Sequence, residues 1–426
     1  MSNLESLNSC QKSALSILDS HENVFLTGVA GSGKSFLVRH FLAQKSSDSF
    51  PVLASTGAAA ILVGGRTFHS FFGLGIMQGG FEATVERALS NKKLQKRLKK
   101  TIAVIIDEVS MLSGTALRAA ETICRKARGK QFPWGGIRVI AVGDFAQLPP
   151  VSAYNQPREW AFLDETWLKS DFRSAVLRTI VRTQDTEFQE ILNFIRSGVV
   201  NERVTRFLNE RKVSDFMDMD EAFEGTRLFP HRDTTEKFNL LKLSQLEGQA
   251  QSIPTVYSGN EKSIQDLKRN APIPEILRLK EGALVMLRIN DPKQRFVNGS
   301  LASIEKIEKD SLKIRLQAGN RICDVETTSF SLLDAEGKEV ASARNFPLNL
   351  AYATTIHKAQ GMTLDALMVD LRNLWEPGQA YVALSRVKSA NNVFVTDWNS
   401  NSIKMDPRVA EFYREAFAYE ESGYSV

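Results

Sequence analysis

At 426 residues, with 43% hydrophobic, 9% aromatic and 24% charged residues, the chain has apolar material for roughly two to four buried cores, so intrinsic disorder is not the default. Its cysteines, Cys10, Cys124 and Cys323, are odd in number and far apart, so neither a disulfide framework nor a thiolate metal site is supported, and a reducing cytoplasm is expected. No apolar run reaches membrane-spanning length and "MSNLESLNSCQKSAL" lacks a secretory layout, so no membrane partner is expected; the net charge of +5 is compatible with nucleic acid without establishing it.

In chain order, the first third alternates between short apolar runs and helical spacing. "VFLTG" (24–28), "PVLAST" (51–56), "IAVIID" (102–107) and "IRVIAVGD" (137–144) are rich in β-branched residues and read as buried parallel strands. This alternation predicts a doubly wound α/β domain that binds ligands at the carboxyl ends of its strands. From Gln156 to about Gly225 the pattern is helical. In "EFQEILNFIRSG" the residues Phe188, Ile191, Leu192 and Ile195 recur at helical spacing, and Gly198 is a plausible stop. The segment from Gly282 to about Ala343 alternates instead, through "SLASIEKIEKDSLKIRLQAG" and "RICDVETTSF", as short antiparallel strands do. It reads as a small β module inserted in a second α/β domain, because "LNLAYATTIHKAQG", "ALMVDL" and "NVFVTD" then resume strand and helix.

The chemistry begins where "VFLTG" runs into "GVAGSGKS", Gly28 to Ser35, followed by the helical "FLVRHFLAQK". This is G-x-x-x-x-G-K-[ST] with a strand before it and a helix after it. Its glycines, Gly28, Gly31 and Gly33, with Ala30 and Ser32 between, let consecutive N–H groups turn toward phosphate oxygens at a helix N-terminus. Lys34 reaches the outer phosphates and Ser35 offers its hydroxyl to Mg²⁺, so ATP and Mg²⁺ are the expected cofactors. The strand "IAVIID" ends in Asp107, the second Mg²⁺ contact, and Glu108, a candidate base for an attacking water. Gln147 follows a third strand end, Gly143-Asp144, where it reads equally as a γ-phosphate sensor and as a turn cap. Two arginines beyond the first domain, Arg182 in "IVRTQDTEF" and Arg386 in "QAYVALSR", are candidates for the charge on a transferring phosphoryl group; Arg386 reads equally as a surface helix residue.

Together "GVAGSGKS", "IIDEVSML", "GDFAQLPPV", "LAYATTIHKAQGMTLD" and "QAYVALSR", in this order, resemble the motifs of superfamily 1 helicases. With "GGRTFHSFFGLG" and "RTQDTEFQEILNFIRSG" they resemble more narrowly the PIF (petite integration frequency) family of superfamily 1B, relatives of RecD and the phage Dda helicase. The resemblance implies an α/β fold class with two RecA-like P-loop NTPase domains, parallel sheets and a small inserted SH3-like β module. The expected boundaries are 1–155 for the first domain with a small wedge-like insertion at about 73–100, then 156–281 and 345–426 for the second, with the module at 282–344. It further implies adenine contact by Gln11, and γ-phosphate contact by Gln147, Arg182, Gly361 and Arg386. Thr183 stands where the family usually has the glutamine that follows its arginine, so a role for Gln184 does not carry over.

Single strands are held by backbone contacts and by stacking on aromatic rings. Thr56, Gly57, Thr67, His69 and Ser70 offer phosphate contacts, and the resemblance places Thr56, His69, His357 and Lys358 on the DNA side. Phe72, with Phe68 and Phe71, reads either as a stacking residue or as core. The run "KKLQKRLKK" (92–100) fits a solvated helix face better than a DNA contact. The activity that the resemblance implies is ATP-driven 5′ to 3′ DNA unwinding by a monomer acting on single-stranded DNA, on junctions and on G-quadruplex DNA, in repair, recombination or telomere maintenance. The competing expectations are a translocase that strips bound protein, and a binding module switched by nucleotide. A cytoplasmic location, on the nucleoid in a bacterium, follows from the absence of a targeting signal.

Overall fold

The computed structural model describes residues 7–421 apart from 57–58, 61–65, 76, 78, 151–156, 214–222, 224, 290, 292, 294, 297 and 334–337. The chain divides into two units: Met1–Arg182 with Leu333–Glu339 and Met405–Val426, and Thr183–Leu332 with Val340–Lys404. The first unit thus extends past the expected boundary at 155 and takes back the end of the chain. Both differences have a visible cause. The strand at 173–177 pairs with the strand at 24–28, and the last helix buries Val409 and Tyr413 in the first unit's core.

The first unit is built on six strands: β1 (Val24–Gly28), β2 (Val52–Ala54), β3 (Arg66–Thr67), β4 (Ala103–Asp107), β5 (Arg138–Gly143) and β6 (Arg173–Leu177). They run parallel in the order β3-β2-β4-β5-β1-β6. β1 is buried along its whole length and β4 at all but its last residue, which explains their unbroken apolar sequences. One face is covered by α1 (Ser9–Leu18) and α2 (Lys34–Leu42), whose Ala14, Leu18, Leu37 and Phe41 share a core with Leu26, Ile105 and Ile140. On the opposite face the helix Gly114–Arg128 and the helices Gly80–Ser90 and Lys92–Lys100 enclose an aromatic-rich core.

The segment expected as a wedge is therefore mostly scaffold: Val85, Ala88, Leu94 and Leu98 sit in that core, and the lysines of 92–100 form the wet side of an amphipathic helix. Among the described residues of 73–80, Gly73, Gly75, Met77, Gly79 and Gly80 have left-handed backbone, and 76 and 78 lie outside the described set.

In the second unit a four-stranded parallel sheet runs Ala353–Thr355, Thr226–Phe229, Leu367–Leu371, Val393–Trp398. The helix Thr186–Arg196 buries Phe188, Ile191, Leu192 and Ile195 as its spacing predicts. The β module is present as an antiparallel five-stranded sheet, with Leu284–Leu287 between Leu348–Leu350 and the meander Leu301–Ile307, Ser311–Leu316, Ile322–Glu326. Its edges reach beyond the expected 282–344, because 348–350 closes this sheet and Val256–Gly259 pairs with Glu339–Asn345.

Candidate active site

β1 ends at Gly28 and α2 begins after Gly33, so the phosphate loop joins the carboxyl end of a central strand to a helix N-terminus. Gly28, Gly31 and Gly33 have φ of +151°, +81° and +91°. A side chain at Gly33 would put its Cβ 2.6 Å from Gln11 Nε2, and one at Gly31 would lie 2.6 Å from Arg182 Cβ, so backbone angle and close neighbours both require glycine. Lys34 Nζ donates to the carbonyls of Gly28 (2.7 Å) and Val29 (3.3 Å), folding the ammonium over the loop it serves. Ser32 Oγ is buried without a hydrogen-bond partner, a donor poised for a ligand oxygen. Ser35 lies on the first turn of α2 and Ala30 at the loop's buried edge.

Gln11 is 4% exposed and does double duty. Its Oε1 accepts the Asn8 N–H (3.2 Å), closing the capping box that starts α1, while its Nε2 donates to Ser32 O (3.4 Å). Arg182, expected beyond the first domain, belongs to the first unit: the N–H groups of Val181 and Arg182 donate to Gly31 O at 2.8 and 3.1 Å. The loop is thus braced by Gln11 on one side and by residues 181–182 on the other.

β4 delivers the acids. Burial, and then the charge of Glu108, push the Asp107 carboxyl up to about 7, offset in part by the Glu108 N–H and by Lys34. That N–H donates to Asp107 Oδ1 at 3.0 Å, and Glu108 sits at φ 52°, ψ 47°, a left-handed conformation that carries strain outside glycine. Gly143, at the end of β5, approaches this turn closely enough that a Cβ would lie 3.1 Å from the Val109 N. Gln147 is buried, on a turn closed by its own N–H donating to Asp144 O (3.0 Å).

Among the first unit's expected DNA residues, Thr56 accepts the Ala59 N–H (3.2 Å) and Thr67 caps the short helix Phe68–Phe71 by accepting the Ser70 N–H (3.0 Å). Ser70 is exposed, and burial lowers the His69 pKa. Gly57 lies outside the described residues. Phe72 is a correction: it is 0% exposed and packs on Phe68 and Phe71, each with centroids 4.9 Å away, so it has no face for a base. Three phenylalanines in five residues on a short amphipathic turn are core.

In the second unit, Arg386 is bonded to the segment that carries Gly361, at residues on either side of it: the Leu364 N–H donates to Arg386 O (2.9 Å), and Arg386 Nη1 donates to Ala359 O (3.5 Å). Arg386 is 1% exposed, not a surface helix residue; Nε donates to Val382 O (2.6 Å) and Nη2 to Ser385 Oγ (2.6 Å). His357 and Lys358 lie on the helix Ile356–Ala359, capped by Thr355, with His357 Nε2 3.2 Å from Glu376 Oε2.

A family model described as PIF1-like helicase matches residues 6–206. An ATP-dependent DNA helicase Pif1 of Bdellovibrio bacteriovorus is 52% identical over 405 residues, 95% of this chain and 91% of that protein. The chain belongs to the PIF1-like helicase family. The Pif1 of a Bacteroides species in complex with ADP-AlF4 superposes with a TM-score of 0.83 at 29% identity, covering 98% of each chain. Bacteroides Pif1 bound to ssDNA gives 0.65 at 28% identity, over 97% of this chain and 98% of that one. The parallel-sheet cores found here agree with the two RecA-like domains of PIF1 helicases.

Motif reading missed one PIF1-site contributor that is distant in sequence. Tyr413, on the helix Pro407–Glu421, places its hydroxyl 3.2 Å from Thr27 Oγ1, one residue before the phosphate loop, and within hydrogen-bond distance of Asp144 and Phe145. No motif surrounds Tyr413, and only its burial marks it.

Proposed function

We propose that this chain is an ATP-dependent DNA helicase that steps 5′ to 3′ along single-stranded DNA and displaces the complementary strand. The observation that carries the reading is the phosphate loop with Lys34 at its mouth and an acid pair at the tip of β4 in the same parallel sheet, in a chain of the PIF1-like family. Relatives carry the name ATP-dependent DNA helicase, and Bacteroides Pif1 binds ssDNA.

Within this reading the loop N–H groups and Ser32 Oγ receive phosphate oxygens, and Lys34 leaves the Gly28 carbonyl for the outer phosphates. Ser35 and Asp107 supply hard oxygen ligands of the kind Mg²⁺ takes, and the buried, partly protonated Asp107 gains a partner for its charge when the metal arrives. Bound Mg²⁺ neutralises charge on the phosphates. Glu108 orients the attacking water and accepts its proton, while Gln147 senses the terminal phosphate. Arg182 and Arg386 are the positive charges that the family resemblance assigns to the transferring group. Junction and G-quadruplex DNA as substrates and a monomeric working form belong to the proposal on that resemblance alone, and a cytoplasmic or nucleoid location belongs to it on the cysteine usage.

The reading is tested by phosphate release with and without oligo(dT), in the wild type and in Lys34→Ala. Stimulation by the oligonucleotide, abolished in the variant, is expected; hydrolysis indifferent to DNA contradicts it.

A further inference from the structure

The segment between the strand Leu367–Leu371 and the helix Gln379–Leu384 carries Trp375, a tryptophan 44% exposed. Its backbone is held from a buried side chain. Gln379, fully buried, accepts the N–H groups of both Trp375 (3.1 Å) and Glu376 (3.2 Å) on its Oε1. The Trp375 ring lies parallel to the exposed imidazole of His231, with centroids 4.7 Å apart and planes 16° apart. Two flat rings are thus stacked at the surface.

Charges of both signs surround the rings, with Arg232 paired to Glu236 at 2.7 Å. Glu376, the next residue, faces His357 across 3.2 Å, which ties the ring pair to the 356–359 helix and Lys358. Partial loss of water and then the charges of Arg232 and Arg288 lower the Lys358 pKa, although the residue reaches solvent; Glu236 alone pulls the other way. Arg288 is buried, its Nε has no hydrogen-bond partner among the described residues, and its Nη1 faces the thioethers of Met286 (3.6 Å) and Met362 (3.4 Å). A buried guanidinium held by sulfurs, beside a lysine it repels, leaves positive charge that a polyanion would neutralise.

We propose that Trp375 and His231 form a stacking platform for a nucleobase of single-stranded DNA, with Lys358 and the charge of Arg288 behind it holding the adjoining phosphate. Aromatic faces accept any base, so the platform adds grip without sequence preference, as a translocating enzyme requires. Gln379 and Glu376 are positioning residues for the ring. The inference rests on the reading of this chain as a single-stranded DNA motor and assigns a base-binding element to its second unit.

The test compares two fluorescently labelled oligomers of equal length, oligo(dT) and a strand of abasic sites with the same phosphates, titrated over a range of salt with the intact protein. Trp375→Ala is expected to weaken oligo(dT) binding about 10-fold. Its affinity for the abasic strand and the salt slope stay at wild-type values, and Trp375→Phe recovers most of the loss. Lys358→Ala weakens both oligomers and reduces the salt slope by about one. Equal weakening of both oligomers by Trp375→Ala, or no effect on either while the wild type binds both, overturns the platform and leaves the motor reading standing. Failure of the wild type to bind oligo(dT) overturns both.

Discussion

The Tyr413 hydroxyl donates to Asp144 Oδ1 at 2.9 Å, and the hydroxyl oxygen itself accepts the Phe145 N–H at 2.9 Å. Asp144 is 0% exposed and its Oδ1 also accepts the Ala146 N–H at 3.1 Å, so one carboxylate oxygen sets the turn that presents Gln147. With Thr27 Oγ1 3.2 Å away, the phenol links the tips of β5 and β1. Tyr413→Phe leaves a buried N–H and a buried carboxylate each short of a partner, at a cost of about 1–3 kcal/mol. The expected outcome is a lower melting temperature together with a several-fold loss of kcat for ATP hydrolysis. Phe412→Leu, which loosens the same helix where it stacks on Phe162 at 4.5 Å, lowers the melting temperature alone. Equal kinetics in the two variants contradict a role for the hydroxyl in the site.

Gln11 spends one acceptor on Asn8 and one donor on Ser32, which leaves one N–H and one lone pair of its amide for a ligand. That pair matches the N6 and N7 edge of adenine. Gln11→Ala is therefore expected to raise KM for ATP by about 10-fold while leaving KM for GTP nearly unchanged. Steady-state kinetics with both nucleotides check this, and parallel losses contradict adenine recognition by Gln11.

Asp107 gives a pH signature. Its carboxyl is raised to about 7 from an unfolded value of 3.8, so between those values the folded, nucleotide-free protein holds a proton that the unfolded chain has lost. Stability from this group is complete below 3.8 and falls as pH rises toward 7. Mg²⁺ needs the carboxylate, so binding of Mg²⁺ with ATP releases a proton below neutrality and its affinity rises with pH before levelling off. Calorimetry at about pH 6 in buffers of different ionisation enthalpy is expected to show close to one proton released, and Asp107→Asn to abolish the release. Buffer-independent heats in the wild type contradict the assignment.

Glu108 occupies its left-handed backbone position immediately after a metal-side carboxylate, and a carboxamide fits the same space. Glu108→Gln is expected to keep ATP and single-stranded DNA affinity while hydrolysis drops at least 100-fold or so. Unchanged turnover in a phosphate-release assay removes Glu108 as the base.

What the sequence made legible follows the range of its signals. The phosphate loop, the acids of β4 and the helix Thr186–Arg196 are local: spacing within a dozen or so residues determines each, and the structure has all of them where spacing predicts. β6 falls in a stretch whose pattern reads as helical, because "RSAVL" is short and its neighbours are polar; pairing with β1 makes it a strand. Tyr413 and Trp375 depend on contacts far along the chain, and nothing in their flanking residues announces a partner. Phe72 went the other way, since an aromatic beside His69 and Ser70 reads alike whether it faces a base or, as here, Trp134.

The central claim is tested most directly by ATP-driven strand displacement on two partial duplexes, one with a 5′ single-stranded tail and one with a 3′ tail, with Lys34→Ala as control. Displacement from the 5′-tailed duplex alone, absent in the control, is the predicted result. Displacement from the 3′ tail would reverse the polarity proposed here, and DNA-stimulated hydrolysis without displacement from either would contradict the helicase reading and leave a translocase.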